Sequence, residues 1–226
     1  MSSRYVQALA LGLDPGWRRL PESERCRGGD EFAGSLQTAG STRTFTYSMI
    51  GLQPGVDLLV WRLADSLEDL EAAAARALGS GMGAWMTVSH SFLGLIQPSE
   101  YVSRPTPQEQ SLFSGDRSRY LVVYPFTKSS EWYLQPQEER RRVMQGHIKV
   151  GHRWPQVRQL LAYSFGIDDQ DFLVAYETDD LPAFSELVRA LRETESRRAT
   201  VTDTPILTGI HRPAEEIVGM LVAQRR

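Results

Sequence analysis

The most informative hydrophobic pattern in the chain lies in a predicted helix from Pro136 to Val150. Pro136 suits a first helical position, and the acidic residues that follow suit the positive end of the helix dipole. Residues at spacings of i, i+1, i+4 and i+5 share one helix face, and here that face carries Val143, Met144, His147 and Ile148. The pattern therefore sets one histidine on an apolar stripe. This placement is typical either of a hydrogen-bonded core histidine or of a ligand.

The hydrophobic pattern of the chain occurs twice. Trp17 and Trp132 are 115 positions apart (132 − 17), and Pro21 and Pro136 keep the same offset. Further along, Asp-Leu-Leu-Val begins at residue 57 and Asp-Phe-Leu-Val at residue 171, which is an offset of 114. Such a near-constant offset predicts two copies of one module with a small insertion or deletion.

Each copy is predicted to read strand, helix, strand, strand, helix, strand. In the first copy the strands are Tyr5–Leu11, Thr42–Ile50, Val56–Leu63 and Met86–Leu95, and the helices are Pro21–Leu36 and Ser66–Leu78. In the second copy the strands are Arg119–Tyr124, Val157–Ser164, Phe172–Glu177 and Val201–Gly209, and the helices are Pro136–Val150 and Leu181–Glu195, the last of them capped by Asp179 or Asp180. A linker at about residues 97–118 and a short C-terminal helix complete the prediction.

Four strands and two helices per copy is the ferredoxin-like plan, in which the helices cover one face of an antiparallel sheet. We therefore expect an α+β fold of two tandem ferredoxin-like modules, residues 1–108 and 109–226, which together form a dimeric α+β barrel. The second module contains the histidine of the apolar stripe. The equivalent position in the first module is Phe32, so the repeat predicts one site per chain.

Composition narrows the functional classes. Hydrophobic residues make up 41% of the 226 residues, which supports a real core. The formal net charge of −3 does not suggest nucleic acid or an anionic membrane as a partner. A single cysteine excludes an intramolecular disulfide. No stretch is long and apolar enough to span a bilayer, so we expect a cytoplasmic protein. No second histidine lies three or four positions from His147, so a zinc site is poorly supported.

The second copy resembles the C-terminal half of the chlorite dismutase family, which includes the coproheme decarboxylases. The matching positions, in order, are Tyr124-Pro125, Lys128, Glu131-Trp132-Tyr133, Pro136, Glu139-Arg140, Met144, His147, Gly166-Ile167-Asp168-Asp169 and Asp171-Phe172. The resemblance implies that the chain binds haem b or coproheme III, with His147 as the ligand of the iron. It also implies that Trp132 and Met144 belong to the haem pocket and that the chain forms a homo-oligomer, expected to be a pentamer.

The same resemblance implies a reaction. In members similar to coproheme decarboxylases, hydrogen peroxide drives the conversion of two propionates of coproheme into vinyl groups, which yields haem b. On this interpretation Tyr124 forms the radical that attacks the propionate, and Lys128 pairs with a propionate or moves a proton. The resemblance also implies that Gln159 lies on the distal side of the haem. The substrates would be coproheme and hydrogen peroxide.

Two alternatives stay open at this point. A chlorite dismutase-type enzyme, which turns chlorite into chloride and oxygen, would need a distal arginine. The stretch between His147 and Gly166 is one residue shorter than in the family, and a different placement of this gap would align Arg158 instead of Gln159 with the distal position. Since neighbours on a strand point to opposite faces, only one of the two can face the haem. The other alternative is a haem-binding module without catalytic activity. The residue that accepts a hydrogen bond from the second nitrogen of His147 is also not identified, because Glu193 and Glu195 lie out of register with the family position.

Overall fold

The repeated hydrophobic pattern appears in the structure as repeated secondary structure. The computed structural model describes residues 4–37, 40–99, 101 and 116–223. The described strands are β1 (Tyr5–Leu13), β2 (Arg43–Gln53), β3 (Val56–Ala64), β4 (Met86–Leu95), β5 (Tyr120–Lys128), β6 (Arg158–Tyr163), β7 (Phe172–Thr178), β8 (Thr200–Thr202) and β9 (Leu207–His211). The described helices are α1 (Glu22–Ser35), α2 (Leu67–Leu78), α3 (Ser130–Leu134), α4 (Gln137–Gly151), α5 (Leu181–Arg192) and α6 (Ala214–Val222).

The chain divides into two units. The first unit comprises Met1–Ile96 with Thr208–Arg226, and the second comprises Gln97–Leu207. The module boundary predicted at 108/109 lies outside the described residues and stays a prediction. None of the helices in the described ranges is long and apolar enough to cross a membrane.

The strands of the first unit run antiparallel in the order β4-β1-β3-β2, followed by β9 next to β2. Helices α1, α2 and α6 pack onto these strands, and the core lies between the two layers. Its buried residues come from alternate positions of β1 and β3 and from the inner faces of the helices: Leu9, Leu11, Leu58, Val60, Phe32, Ala77, Ile217 and Leu221. These residues share the buried side because side chains two positions apart on a strand, and three or four apart on a helix, point in the same direction.

The strands of the second unit run antiparallel in the order β6-β7-β5-β8. Read from the other edge, the order in the first unit is β2-β3-β1-β4. When the strands of each unit are counted along the chain, both units therefore have the order second, third, first and fourth. Single hydrogen bonds repeat as well. The backbone N–H of Leu13 donates to Asp57 Oδ2 at 2.8 Å, and the backbone N–H of Lys128 donates to Asp171 Oδ2 at 2.7 Å. The sequence repeat is therefore also a repeat of local structure.

The last predicted strand and the last long predicted helix of the second copy differ from the structure. The predicted strand Val201–Gly209 is two strands, β8 and β9, with Pro205 between them. A proline cannot donate to a strand ladder, so it interrupts the pairing. The predicted helix Leu181–Glu195 ends at Arg192 and is followed by a 3₁₀ turn, Glu195–Ala199.

Strand β5 corrects a further expectation. The sequence predicted a strand from Arg119 to Tyr124, directly before Pro125. The strand instead continues through Pro125 to Lys128, with Tyr124 opposite Val174 and Phe126 opposite Phe172. Pairing with β7 holds both sides of the proline in the extended conformation that a proline itself prefers. Tyr124 is therefore a residue from the middle of a strand, and its side-chain direction is set by the alternation along β5.

Candidate functional site

One face of the second unit's strands is covered by helices and carries Tyr124. Val122, Val174 and Tyr176 on this face form a cluster with Leu187 of α5. Tyr124 packs against the same cluster and is half-buried. Because it lies two residues beyond Val122 on β5, strand alternation gives both residues the same direction. The phenol of Tyr124 is thus directed to the helix-covered side.

Tyr124 is paired with a second tyrosine. The rings of Tyr124 and Tyr176 stack with centroids 6.2 Å apart and an angle of 26° between their planes. Burial raises the pKa of the Tyr124 phenol well above its ordinary value, and the neighbouring Tyr176 and the hydrogen bond between the two phenols act in the same direction. At neutral pH Tyr124 is therefore a protonated phenol, with a hydrogen atom available on its oxygen.

Gln159 and Arg158 lie on opposite faces of β6. Gln159 is the antiparallel partner of Tyr176 and so shares the face that carries Tyr124. Arg158 pairs with Glu177, with Nη2 2.9 Å from Oε2, and the Glu177 side chain is fully buried. The ion pair holds Arg158 on the other side of the strands. Of the two candidates that the sequence left open, the geometry directs Gln159 toward Tyr124 and Arg158 away from it.

His147 lies on the inner face of α4. The exposed positions around it are Arg141, Arg142, Gln145, Gly146 and Lys149, whereas His147 itself is half-buried. Its Nδ1 is 3.3 Å from Thr194 Oγ1. Burial, and secondarily the charge of Lys128, lowers the pKa of His147 to about 4. At neutral pH the imidazole is therefore neutral, which is the form that can bind a metal ion.

Lys128 is a buried cation beside His147. Its Nζ donates to the backbone oxygen of Ser196 at 3.2 Å and to Ser196 Oγ at 2.9 Å, and it lies 4.2 Å from the centre of the Trp132 ring. Burial, together with the charge of Arg197, lowers the pKa of Lys128 to about 8. The ring face and the two oxygens favour the charged form. Lys128 therefore keeps a charge in most molecules at pH 7.

Ser196 joins the lysine to the histidine helix. Its Oγ lies 3.8 Å from Sδ of Met144, which is one helical turn before His147. Lys128, Trp132, Met144 and His147 therefore form one cluster, connected through the turn that follows α5. The short helix α3, which the sequence analysis did not predict, carries Trp132 into it. Thr194 and Ser196 were not predicted as site residues, because a hydroxyl residue in a turn has no periodic signal.

Three charged residues near the cluster, Arg192, Arg197 and Asp203, were not predicted either, because no periodic pattern marks them. Arg197 Nη1 lies 2.5 Å from Asp203 Oδ2, and Arg192 Nη2 lies 3.6 Å from the same oxygen. Asp203 and Arg192 both influence the phenol of Tyr124 electrostatically, and Arg197 does the same for Lys128. Two arginines thus share one carboxylate, Asp203, and Lys128 lies near Arg197, which gives this end of the site a positive balance.

The two glutamates considered as acceptors for His147 are directed elsewhere. Glu193 is exposed, and Glu195 is bound to Arg142 at 2.8 Å. Thr194, which lies between them in sequence, is the residue that contacts His147.

The first unit has no equivalent polar cluster among its described residues. Phe32, at the position of His147, is fully buried in an apolar core with Trp17 and Met82. Met82 takes the place of Ser196 and Leu13 the place of Lys128. The repeat therefore has one apolar copy and one polar copy, as the exchange of histidine for phenylalanine suggested.

The described residues of the second unit fit a haem. The only protein ligand that such a group needs is a neutral imidazole whose second nitrogen is held by an acceptor, and His147 with Thr194 provides this arrangement. Within the described residues no group of three or more His, Cys, Asp and Glu side chains could hold a metal ion in another way. The cations near Tyr124 suit the propionates that a haem carries at its edge.

Comparisons with known proteins identify the family of the chain. The profile of the family described as Chlorite dismutase matches residues 25–212. The chain is 30% identical over 220 residues to a coproheme decarboxylase from Mycolicibacterium smegmatis, which covers 96% of this chain and 94% of that protein.

Solved structures from Candidatus Nitrospira defluvii are similar over the whole chain. A mutant chlorite dismutase superposes with a TM-score of 0.89 at 28% identity and covers 99% of this chain and 97% of that chain. The same coverage and identity, with a TM-score of 0.88, apply to a chlorite dismutase in complex with imidazole. The predicted α+β fold is thereby confirmed, and the chain belongs to the chlorite dismutase family.

Proposed function

We propose that the chain is a haem-dependent oxidoreductase of the coproheme decarboxylase type, which converts two propionates of coproheme III to vinyl groups with hydrogen peroxide and so makes haem b. The observation that carries this proposal is the arrangement around Tyr124. Its protonated phenol stacks on Tyr176 on the same strand face as Gln159, whereas Arg158 is held on the opposite face by Glu177. A phenol is available for hydrogen-atom transfer there, and the distal arginine of a chlorite-splitting site is not.

His147 would bind the iron through Nε2, since its Nδ1 is already directed to Thr194. Trp132 and Met144 would line the pocket beside it. Lys128 would pair with a propionate or pass a proton to it, because its Nζ is a buried cation whose pKa of about 8 lies near physiological pH. Arg192 and Arg197 add positive charge for the remaining propionates. Gln159 is neutral and would only tune the access of peroxide.

The chemistry balances with peroxide alone as the oxidant. One propionate, one hydrogen peroxide and one proton give one vinyl group, one carbon dioxide and two waters. The haem, when bound, supplies the oxidation of Tyr124 by peroxide. The oxygen of Tyr124 would then take a hydrogen atom from the propionate chain, which removes the first electron. A second electron would pass to the remaining oxidising equivalent of the same peroxide as the carboxylate leaves as carbon dioxide and the vinyl double bond forms. Binding the substrate so that this carbon lies near the phenol is the contribution of the protein's own side chains.

The proposal extends to the setting of the enzyme. We infer a cytoplasmic location and assembly as a homopentamer, both of which rest on composition and family resemblance. Sedimentation of the purified protein measures the second point. A species of about five times the 25.5 kDa chain mass is expected, and a monomer would contradict it.

Replacement of Tyr124 by phenylalanine tests the reaction directly. The change removes one oxygen and leaves the packing against Tyr176 nearly unaltered, so Tyr124→Phe should bind coproheme with close to wild-type affinity. It should nevertheless form neither the three-propionate intermediate nor haem b when peroxide is added. Binding is followed by the Soret shift on titration with coproheme, and products are separated by chromatography.

Three control variants separate the possible failures. Tyr176→Phe removes a neighbouring phenol and should retain decarboxylation at a reduced rate. His147→Ala should abolish the Soret shift, which tests ligation independently of turnover.

Haem b formation by Tyr124→Phe at the parent rate would refute the decarboxylase assignment. Oxygen release from chlorite by the wild type, lost in Arg158→Ala, would instead establish the chlorite dismutase-type reaction. Coproheme binding with neither reaction would establish a haem-binding module.

A further inference from the structure

We propose that Thr194 is the positioning residue of the site: its hydroxyl accepts the Nδ1–H of His147 and holds the imidazole in the tautomer that leaves Nε2 free for a metal. The metal in this statement rests on the function proposed above. The tautomer does not, since it is a property of the protein without any ligand.

The direction of the hydrogen bond follows from where the hydroxyl proton goes. Thr194 Oγ1 lies 2.6 Å from the backbone oxygen of Leu191 and 3.3 Å from Nδ1 of His147. A hydroxyl has a single proton, and the shorter distance assigns it to the Leu191 carbonyl. Toward His147 the oxygen therefore offers only lone pairs, so Nδ1 must carry the proton. In a neutral imidazole Nε2 is then the unprotonated nitrogen.

The first unit shows that this hydroxyl does not depend on the histidine. Ser80 lies at the position of Thr194, and its Oγ donates to the backbone oxygen of Ala77 at 2.9 Å, as Thr194 does to Leu191. The histidine position is occupied there by Phe32, which needs no acceptor. The hydroxyl-to-carbonyl bond is thus a feature of the helix end in both copies. In the second copy it presents a pre-oriented acceptor to His147.

The acceptor is neutral, and this has a consequence for the metal. Glu193 is exposed and Glu195 is bound to Arg142, so within the described residues no carboxylate contacts the His147 ring. A carboxylate acceptor draws the proton from the imidazole and raises its basicity as a ligand, whereas a hydroxyl does so weakly. We therefore expect His147 to be a weakly donating ligand in this chain.

Nuclear magnetic resonance of the ligand-free protein tests the tautomer. With histidine labelled by nitrogen-15, long-range proton–nitrogen correlations at pH 7 distinguish a protonated Nδ1 from a protonated Nε2. The wild-type His147 should show a protonated Nδ1 and an unprotonated Nε2. Thr194→Val, which replaces the hydroxyl by a methyl group, should give a mixture of both tautomers. Thr194→Ser should restore the wild-type pattern.

A titration with ferric coproheme tests the consequence for binding. Loss of an outer partner of a metal-binding histidine typically weakens binding about tenfold or more, so Thr194→Val should bind about tenfold more weakly than the wild type. Thr194→Ser should bind as the wild type does. Ser80→Ala is the matched control: it removes the same hydroxyl-to-carbonyl bond from the first unit and should leave both the affinity and the His147 tautomer unchanged.

The wild-type measurement alone can overturn the proposal, even if a variant fails to fold. A protonated Nε2 on His147 in the wild type would do so. The proposal would also be overturned if Thr194→Val kept both the His147 tautomer and the coproheme affinity of the wild type. If the wild-type protein does not bind coproheme at all, the proposed function fails while the tautomer experiment still decides the role of Thr194.

Discussion

Lys128 shows how burial sets the chemistry of a single residue. The group is paired with Ser196 and with the Trp132 ring, and it faces Arg197 and His147 rather than an acidic side chain. The carboxylate of Asp171 is bound to its backbone N–H and not to its ammonium group. Among the residues that the structure describes, the ammonium group has no carboxylate partner, so a propionate entering the proposed site would meet an unneutralised cation.

The lowered pKa of Lys128 makes the stability of the ligand-free protein depend on pH. The pKa of Lys128 is about 8 in the folded protein, whereas an ordinary lysine, as in the unfolded chain, has a pKa of 10.5. Between these values the unfolded chain binds the proton more strongly than the folded one, so the free energy of unfolding rises with pH through this window. The expected gain is at most about 3 kcal/mol. Urea unfolding at pH 7.5 and pH 10 measures it.

Lys128→Met should lose this gain. The exposed Lys149 is the matched control, and Lys149→Met should keep the wild-type dependence. An equal change with pH in the wild type and in Lys128→Met would show that the burial of the ammonium group has no such effect.

Helix α5 is the element on which the site depends at both of its ends. At its start, Asp180 Oδ1 accepts the backbone N–H of Ala183 at 3.0 Å. In its first turn, Phe184 packs on Tyr176 with ring centroids 5.2 Å apart, and Tyr176 in turn stacks on Tyr124. At its end the chain turns through Thr194 and Ser196. The helix thus supports the phenol pair, and the turn that follows it supplies the partners of His147 and Lys128.

Removal of the helix cap tests this dependence. Asp180→Ala should lower the free energy of unfolding by about 1 kcal/mol. It should also weaken coproheme binding several-fold, because the first turn supports Tyr176. Ser66, whose Oγ accepts the backbone N–H of Asp69 at 3.2 Å, caps the equivalent helix of the first unit. Ser66→Ala should cost similar stability without changing binding, and equal binding losses in the two variants would contradict the prediction.

At the scale of the whole molecule, a duplicated module carries its chemistry in one copy. Phe32, Met82 and Leu13 fill the first copy with apolar side chains where His147, Ser196 and Lys128 stand in the second. The apolar copy gains stability from burial at the positions where the polar copy must leave groups free to react. In this chain the two similar units thus differ at the positions where the proposed site lies.

The number of binding sites per chain follows from this division. Titration of the protein with coproheme should saturate at one equivalent per chain, because only the second copy has a histidine on the inner face of its first long helix. His147→Ala should reduce this to none. Two equivalents in the wild type, or one remaining in His147→Ala, would place a ligand elsewhere.

The sequence by itself determined much of this protein. The offset of 115, the periodicity of α4 and the match from Tyr124 to Phe172 identified two copies, the helix face of His147 and the family. These are local properties, because helix and strand periods and caps depend on residues a few positions apart. The helix of His147 was accordingly predicted to within one residue at each end.

Only the tertiary structure decided the remaining features. Thr194 lies 47 positions from His147 and Ser196 lies 68 positions from Lys128, and no periodic pattern marks a hydroxyl in a turn. The direction of Arg158 depends on Glu177, a residue of the neighbouring strand. The continuation of β5 through Pro125 depends on pairing with β7. Each of these features is a contact between residues far apart in the chain, and such contacts are specified by how the elements pack.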